Sequence, residues 1–235
     1  MHPSAFSNCK KFYDSYMAGQ ADKNLKIADI GSLDINGSLK SIFPSNHDYK
    51  GVDFAPGKNV DIVIQDPYKL PFENDSLDVV VSSSCFEHSD MFWLVFNEIM
   101  RILKPDGLFY LNAPSNGAFH RYPVDSWRFY PDSGHSLVRW ARRSGYSTVL
   151  LESYISRQLE EKDDGAFWND FVAVFLKDEK FAGNYPNRIT DKNPDFLNGY
   201  VYGVEQPIKY SPMNEDLLKI SVAKKILTGS LRVNP

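Results

Sequence analysis

Residues 27–37 constrain this chain most. Ile27–Ile30 is a short apolar run that reads as a buried parallel strand, and it leads directly into Gly31, Ser32 and a polar turn that closes at Gly37. A strand that breaks into small residues and then re-enters a helix leaves backbone N–H groups pointing outward. It also lets a ligand approach the main chain closely. About twenty residues on, residues 49–53 repeat the strand pattern and end in the carboxylate of Asp53, the spacing at which an acid can hold a pair of ribose hydroxyls. The expectation is a nucleoside-cofactor site.

The rest of the pattern sets that turn in an α/β frame. Strands are expected at 26–30, 49–53, 61–64, 77–82 and 108–113, with late strands at 147–153 and 170–176. The run from Val79 to Val81 is β-branched without alternation, so both its faces should be buried. Phe92, Val95, Phe96, Ile99, Ile102 and Leu103 recur at helical spacing up to Lys104, with Ser89 or Asp90 placed to cap. Only seven residues separate Asp53 from Asp61, short for a parallel crossover, so either that crossover shrinks to a single turn or the third run is not parallel; the shrunken crossover is expected. A helix starting near residues 36–38 cannot run far, because Pro44 disfavours helical backbone at Phe43. The reading is a doubly wound, Rossmann-like, mostly parallel sheet with helices on both faces and a late antiparallel hairpin.

Three segments are expected: an N-terminal helical segment (1–25) packing on the core, a main domain (26–177) and an aromatic-rich C-terminal extension (178–235). In the first, Phe6, Phe12, Tyr13, Tyr16 and Met17 fall at roughly helical spacing, and Gly19 would end the helix. In the last, a helix is expected from Asn214 to Leu227, with Glu215 and Asp216 at its start and Lys224 and Lys225 near its end. The extension suits a lid or a homodimer contact.

A net charge of −4 without a long basic run speaks against a nucleic-acid partner. No apolar stretch reaches bilayer length and the N-terminus lacks a signal-peptide core, so a cytoplasmic protein without membrane contact is expected. Cys9 and Cys85 lie far apart and suggest neither a disulfide framework nor a metal cluster.

The order of these features resembles class I S-adenosylmethionine-dependent methyltransferases, especially the branch acting on small molecules and glycan precursors. The resemblance rests on residues 29–32, 51–53, 66–72 with 76–80, Glu87 with His88, and the phrase 100–107 before the fifth strand. It implies S-adenosyl-L-methionine as cofactor. Gly31 and Ser32 would pass under its methionyl part, with Asp29 bracing the loop or the ammonium group. Asp53 would bind the ribose hydroxyls with Phe54 against the adenine; Asp66 would accept from the adenine amine, with Pro67 and Tyr68 beside it. Ser83 would lie near the methionyl end and Glu87 with His88 at the mouth. The family's glycine-rich turn is here interrupted by Leu33 and Ile35, its second glycine arriving only at Gly37, so the turn is longer and differently shaped. Taken singly, Asp53 also reads as a turn acid, Asp66 as a loop cap, and His88 as an anchor for its helix.

Methyl transfer asks the protein to align a nucleophile and exclude water, with a base only where the nucleophile carries a proton. The family's Asn-Pro-Pro-Tyr motif for amine targets is absent after the fourth strand, and no carboxylate cluster suggests a divalent ion. Acceptor specificity is expected in residues 113–131, whose pattern of His, Tyr-Pro, Asp and Trp-Arg-Phe resembles methyltransferases of surface-polysaccharide synthesis. There His120 offers a base and Asp125 a carboxylate to orient it, while Tyr122, Trp127 and Arg128 offer substrate contacts. The structural alternative makes Trp127 core and pairs Arg128 with Asp125. The function expected is O-methylation of a sugar or similar hydroxylated acceptor. A catalytically silent module, serving as a binding or scaffold subunit, is the alternative. A nicotinamide enzyme is disfavoured, because the first turn lacks Gly-x-Gly-x-x-Gly.

Overall fold

The computed structural model describes residues 3–35, 37–158 and 168–231. The strands are β1 (Lys26–Ile30), β2 (Asp48–Asp53), β3 (Ile62–Val63), β4 (Leu77–Ser83), β5 (Leu103–Pro114), β6 (Val149–Ser156), β7 (Asp170–Leu176) and β8 (Phe196–Val201). They form one eight-stranded sheet in the order β3-β2-β1-β4-β5-β7-β6-β8. From β3 to β5 every pairing is parallel; β7 runs antiparallel to β5 and β6, and β6 runs antiparallel to β8. The chain winds outward from β1 to β3, then returns through β4 on the other side of β1. The loops leaving the carboxyl ends of β1 and β4 therefore part, and the crevice between them is where ligands of such sheets bind.

Both faces of the sheet are covered, which is why β4 reads without alternation. Val80 packs with α2 (Phe92–Ile102) and α3 (Ser133–Arg143), whereas Val79 and Val81 belong to the opposite core with α1 (Pro3–Phe12). On α1 the buried Ala5, Cys9 and Phe12 follow helical spacing, and the chain continues through a wider turn (Tyr13–Met17) that buries Tyr16 and Met17. The Phe12 ring stacks on Tyr110 of β5 at 4.9 Å, while Phe6 stays exposed. Ser4 and Asn8 donate to Asp170 at 2.8 and 3.4 Å, tying α1 to the start of β7.

Several local expectations change. The short helix expected near residues 36–38 is, among the described residues, a single 3-10 turn, Leu39–Ile42, capped by Ser38 and as short as Pro44 demands. β3 is parallel to β2 but only two residues long, and the segment before it is pinned by the Asn59 carbonyl pressing on Gly51, where a Cβ would lie 1.9 Å away. Ser89 and Asp90 do not cap α2. Its N-cap is Met91, and the two polar residues instead hold the loop after β5: Trp127 Nε1 donates to the Ser89 carbonyl at 3.0 Å and Ser126 Oγ to Asp90 at 3.3 Å. α2 ends at Ile102, and β5 begins at Leu103, five residues before its expected start.

The acidic loop expected at residues 160–164 lies outside the described residues. Beyond β7, α4 (Ile189–Lys192) is seated on the buried Glu152 carboxylate, which accepts the amides of Ile189 and Thr190 at 2.6 and 3.1 Å and the Tyr16 hydroxyl at 2.7 Å. β8, which no sequence signal announced, adds an edge strand and buries Phe196. α5 (Glu215–Leu227) starts at Asn214, whose side chain accepts the Leu217 amide at 2.9 Å. Among the described residues no helix is long and apolar enough to cross a membrane.

Candidate active site

The floor of the crevice is the turn after β1. Gly31 has φ +83°, and a Cβ there would lie 2.5 Å from the Cys85 Cβ, so only glycine lets the β1 and β4 turns touch. The amides of Gly31 and Ser32 donate to the Val52 carbonyl at 2.9 and 3.2 Å, which binds this turn to β2. Farther along, Asp34 pairs with Lys58 at 2.7 Å and accepts from Asn59 at 3.0 Å and from the Gly37 amide at 2.6 Å. The longer turn is thus fixed by its own acid and not by glycines.

Asp53 closes the same corner. One carboxylate oxygen accepts the Leu33 amide at 3.1 Å and the other the Ala55 amide at 3.2 Å, and the residue is 7% exposed. Each oxygen keeps a further lone pair for a ligand hydroxyl. Phe54 beside it is 53% exposed, an apolar ring at the edge of the crevice. Past β3, Asp66 and Pro67 are exposed; Asp66 accepts the Tyr68 amide at 2.9 Å, and the Tyr68 ring packs partly against the α2-side core. Asp66 does cap its loop, and this uses only one of its oxygens.

Asp29 is placed differently from a ligand contact. It is buried on the α1 side of the sheet, where the Tyr49 hydroxyl donates to it at 2.7 Å. Burial pushes its carboxyl up to about 7, against the lowering effect of that hydroxyl, with nearby Asp53 adding to the rise. It braces β1 against β2 from behind.

Beyond β4, Ser82 donates to the Ile30 carbonyl at 2.8 Å, and Ser84 adopts φ +52°. The Ser32 and Ser83 hydroxyls are buried without a hydrogen-bond partner among the described residues. The 3-10 turn Phe86–His88 follows, with Phe86 in the core and Glu87 1% exposed. Burial is the main cause that pushes the Glu87 carboxyl up to about 8. Its backbone carbonyl accepts the amides of Ser126 and Trp127 at 2.8 and 3.3 Å, joining this turn to the loop after β5.

In that loop the structure brings His120 and Asp125 together. Asp125 Oδ2 accepts the His120 amide at 2.7 Å and stands 3.4 Å from His120 Nδ1. Arg128 takes the same carboxylate in a fork, at 2.5 and 2.8 Å, and holds it down at about 2. Arg128 also donates to the Ala118 carbonyl at 2.8 Å, so it organises the loop from within, as the structural alternative held. Trp127 is 37% exposed but leans on Phe92 and Trp93, with ring centroids 5.3 and 5.9 Å away. Tyr122 is exposed at the rim. The ring set beside His120 is Trp168, at 5.1 Å, a residue that sequence reasoning missed. It lies over Gly117, where a Cβ would come within 2.0 Å of it, and it precedes β7 with no local pattern to flag it. His88 meets His120 edge-on at 4.9 Å.

Residues 16–111 match the family model described as a methyltransferase domain, and the strand order and crevice belong to the same fold. Over that stretch the chain is similar to a methyltransferase domain. Among curated relatives, phthiotriol/phenolphthiotriol dimycocerosates methyltransferase 1 of Mycobacterium ulcerans (strain Agy99) is 33% identical over 158 residues, covering 64% of this chain and 52% of that protein. The chain spans about half the length of the curated relatives it matches. Of solved structures, 1,6-didemethyltoxoflavin-N1-methyltransferase from Burkholderia thailandensis, with 1,6-didemethyltoxoflavin and S-adenosylhomocysteine bound, has a TM-score of 0.50 at 15% identity, covering 75% of this chain and 85% of its own. A putative sarcosine dimethylglycine methyltransferase from Galdieria sulphuraria has a TM-score of 0.51 at 15% identity, covering 74% and 86%. At such identities the likeness is one of fold. In sheets of this order ligands bind in the crevice between the β1 and β4 turns, and the loop after β5 leaves the same edge of the sheet.

Proposed function

We propose that the chain is an S-adenosyl-L-methionine-dependent methyltransferase acting on a hydroxyl of a small acceptor, a sugar or another polyhydroxylated molecule. The observation that carries the reading is Asp53: a nearly buried carboxylate at the end of β2 whose two oxygens each hold one backbone amide and keep one lone pair free. That arrangement suits a ribose diol. The crevice fits the rest of such a cofactor, since Gly31 leaves no side chain in its floor and two buried hydroxyls, on Ser32 and Ser83, stand ready to donate. When bound there, the cofactor supplies a methyl group already activated by a sulfonium.

The chain's own residues then have three tasks: hold the acceptor in line, exclude water and remove the hydroxyl proton. His120 is the proposed proton acceptor. Asp125, too buried to touch substrate, orients it through the contacts described above and acts as a positioning residue. Trp168 and Tyr122 offer aromatic faces of the kind sugars favour. The Mycobacterium ulcerans relative is named for phthiotriol, an alcohol by that name, which supports oxygen as the nucleophile but does not favour a sugar. The start of α5 borders the same region: Asn116 donates to Asp216 at 2.6 Å, and Gln158 and Asn169 donate to Asp216 and Glu215. We place α5 as the outer wall of the acceptor side.

The test is transfer of label from methyl-labelled S-adenosylmethionine to a panel containing a methyl hexoside, a nucleotide sugar and a long-chain diol. Label on a hydroxyl supports the reading, and which acceptor takes it separates sugar from lipid. Cofactor binding with no transfer to any acceptor favours the silent binding module. Label found on nitrogen overturns the hydroxyl assignment.

A further inference from the structure

We propose that Glu87, His88 and His120 form a binding site for one divalent transition-metal ion such as Zn2+, at the acceptor end of the cleft. One donor atom from each residue lies within 4.8 Å of the donors of the other two. Two imidazoles and one carboxylate are a donor set for zinc and its neighbours in the transition series, whereas calcium and magnesium prefer oxygen alone.

The orientation of the rings points the same way. His88 Nδ1 lies 2.5 Å from the Val124 carbonyl oxygen. Only a protonated Nδ1 bonds a carbonyl, so in the neutral ring the lone pair belongs to Nε2, the atom 3.7 Å from Glu87 Oε1. His120 Nδ1 likewise faces the Ala118 carbonyl at 3.1 Å and the Asp125 carboxylate at 3.4 Å, which leaves its Nε2 as donor. Metal-bound imidazoles are held in this manner, with the second nitrogen donating to a carbonyl or carboxylate. Two donors on a tetrahedral ion with bonds of about 2.0 Å stand about 3.3 Å apart, so the His88–Glu87 pair at 3.7 Å needs little movement.

An independent observation comes from Glu87. Its side chain is 1% exposed, and Oε2 has no hydrogen-bond partner among the described residues. Oε1 is the oxygen that faces His88 and Oε2 the one left bare; a carboxyl without partners is costly to bury, and a cation bound by this group on release of its proton would offset that cost. The His120 side chain, 37% exposed, sets the open coordination position toward the acceptor side. In function the inference rests on the proposed acceptor cleft: an ion held there would polarise an acceptor hydroxyl at the open position, with the hydroxyl proton leaving to solvent water, and in the ion-bound state His120 would be a ligand and not the proton acceptor.

The experiment is calorimetric titration of the full-length, chelator-treated protein with ZnCl2, with S-adenosylhomocysteine affinity measured separately on the same samples. The expected result is one zinc per chain, bound at least about 10-fold more weakly in Glu87→Gln and in His120→Ala, and about 10-fold more weakly in Asp125→Asn. His120 sits in a partly exposed loop, so His120→Ala keeps the test open where Glu87→Gln unfolds. No stoichiometric zinc binding, or equal affinity in wild type and His120→Ala, overturns the site. Loss of homocysteine-form binding alone counts against the methyltransferase reading and not against the metal site.

Discussion

The Asp53 carboxylate accepts the Leu33 amide at 3.1 Å, so the end of β2 holds the turn that leaves β1. Cofactor contact and loop geometry therefore depend on one side chain. Asp53→Ala strands the Leu33 and Ala55 amides, and is expected to lower stability by about 1–3 kcal/mol. Asp53→Asn, which still accepts one amide, is expected to lose less. Urea unfolding of the two variants without ligand checks the order; equal losses would contradict the bracing role.

Gly31 is the second point where backbone and function meet. Gly31→Ala forces a non-glycine residue to φ +83° and drives its Cβ to 2.5 Å from the Cys85 Cβ. Left-handed backbone alone costs about 1–2 kcal/mol, and the clash adds to it. The expected outcome is a lower urea midpoint together with weakened S-adenosylhomocysteine binding. Cys85→Ala leaves the blocking Cβ in place and should not rescue the variant.

The frame was legible because it is written in local apolar runs. β1, β2, β4 and β7 lie where the sequence puts them, to within a residue, and their order marks the crevice. β8 was not legible, since Phe196–Val201 is half-buried and its identity as a strand comes from pairing with distant Glu152–Ser156. The site divides in the same way. Asp53 and Gly31 announce themselves through strand-end spacing, but that Asp29 faces α1 depends on which side of the sheet the first strand presents. Trp168 reaches His120 only because Gly117 leaves room for its ring, a relation spanning about fifty residues that no window can contain.

Asp29 gives the pH dependence a sign. Its carboxyl is raised from the ordinary range to about 7 in the folded chain. Between about pH 4 and that value the folded chain keeps a proton that the unfolded chain releases, so stability falls as pH rises, with a slope approaching about 1.4 kcal/mol per pH unit. Asp29→Asn stays neutral and still accepts from Tyr49. It is expected to flatten that decline and to be more stable than wild type at pH 7. Denaturant unfolding at pH 5, 6 and 7, compared between the two proteins, checks this; parallel curves would show that Asp29 does not hold the proton.

The loop after β5 should govern turnover and leave cofactor affinity alone. His120→Ala is expected to cut methyl transfer about 100-fold or more, the usual contribution of a group that handles a proton. Asp125→Asn should cost less, since Arg128 still holds the side chain in place. Single-turnover rates with saturating cofactor measure both. Unchanged rates in both variants would remove this loop from the chemistry.

The central claim is that the crevice between the β1 and β4 turns binds a sulfonium nucleoside through Asp53. Its most direct measurement is calorimetric titration of the wild-type protein and Asp53→Ala with S-adenosylhomocysteine, with NAD as the competing nucleoside. The account predicts one site per chain for S-adenosylhomocysteine with a dissociation constant of about micromolar order, at least about 10-fold weaker binding in Asp53→Ala, and no heat from NAD. Binding of NAD without S-adenosylhomocysteine, or S-adenosylhomocysteine binding indifferent to the loss of Asp53, would contradict it.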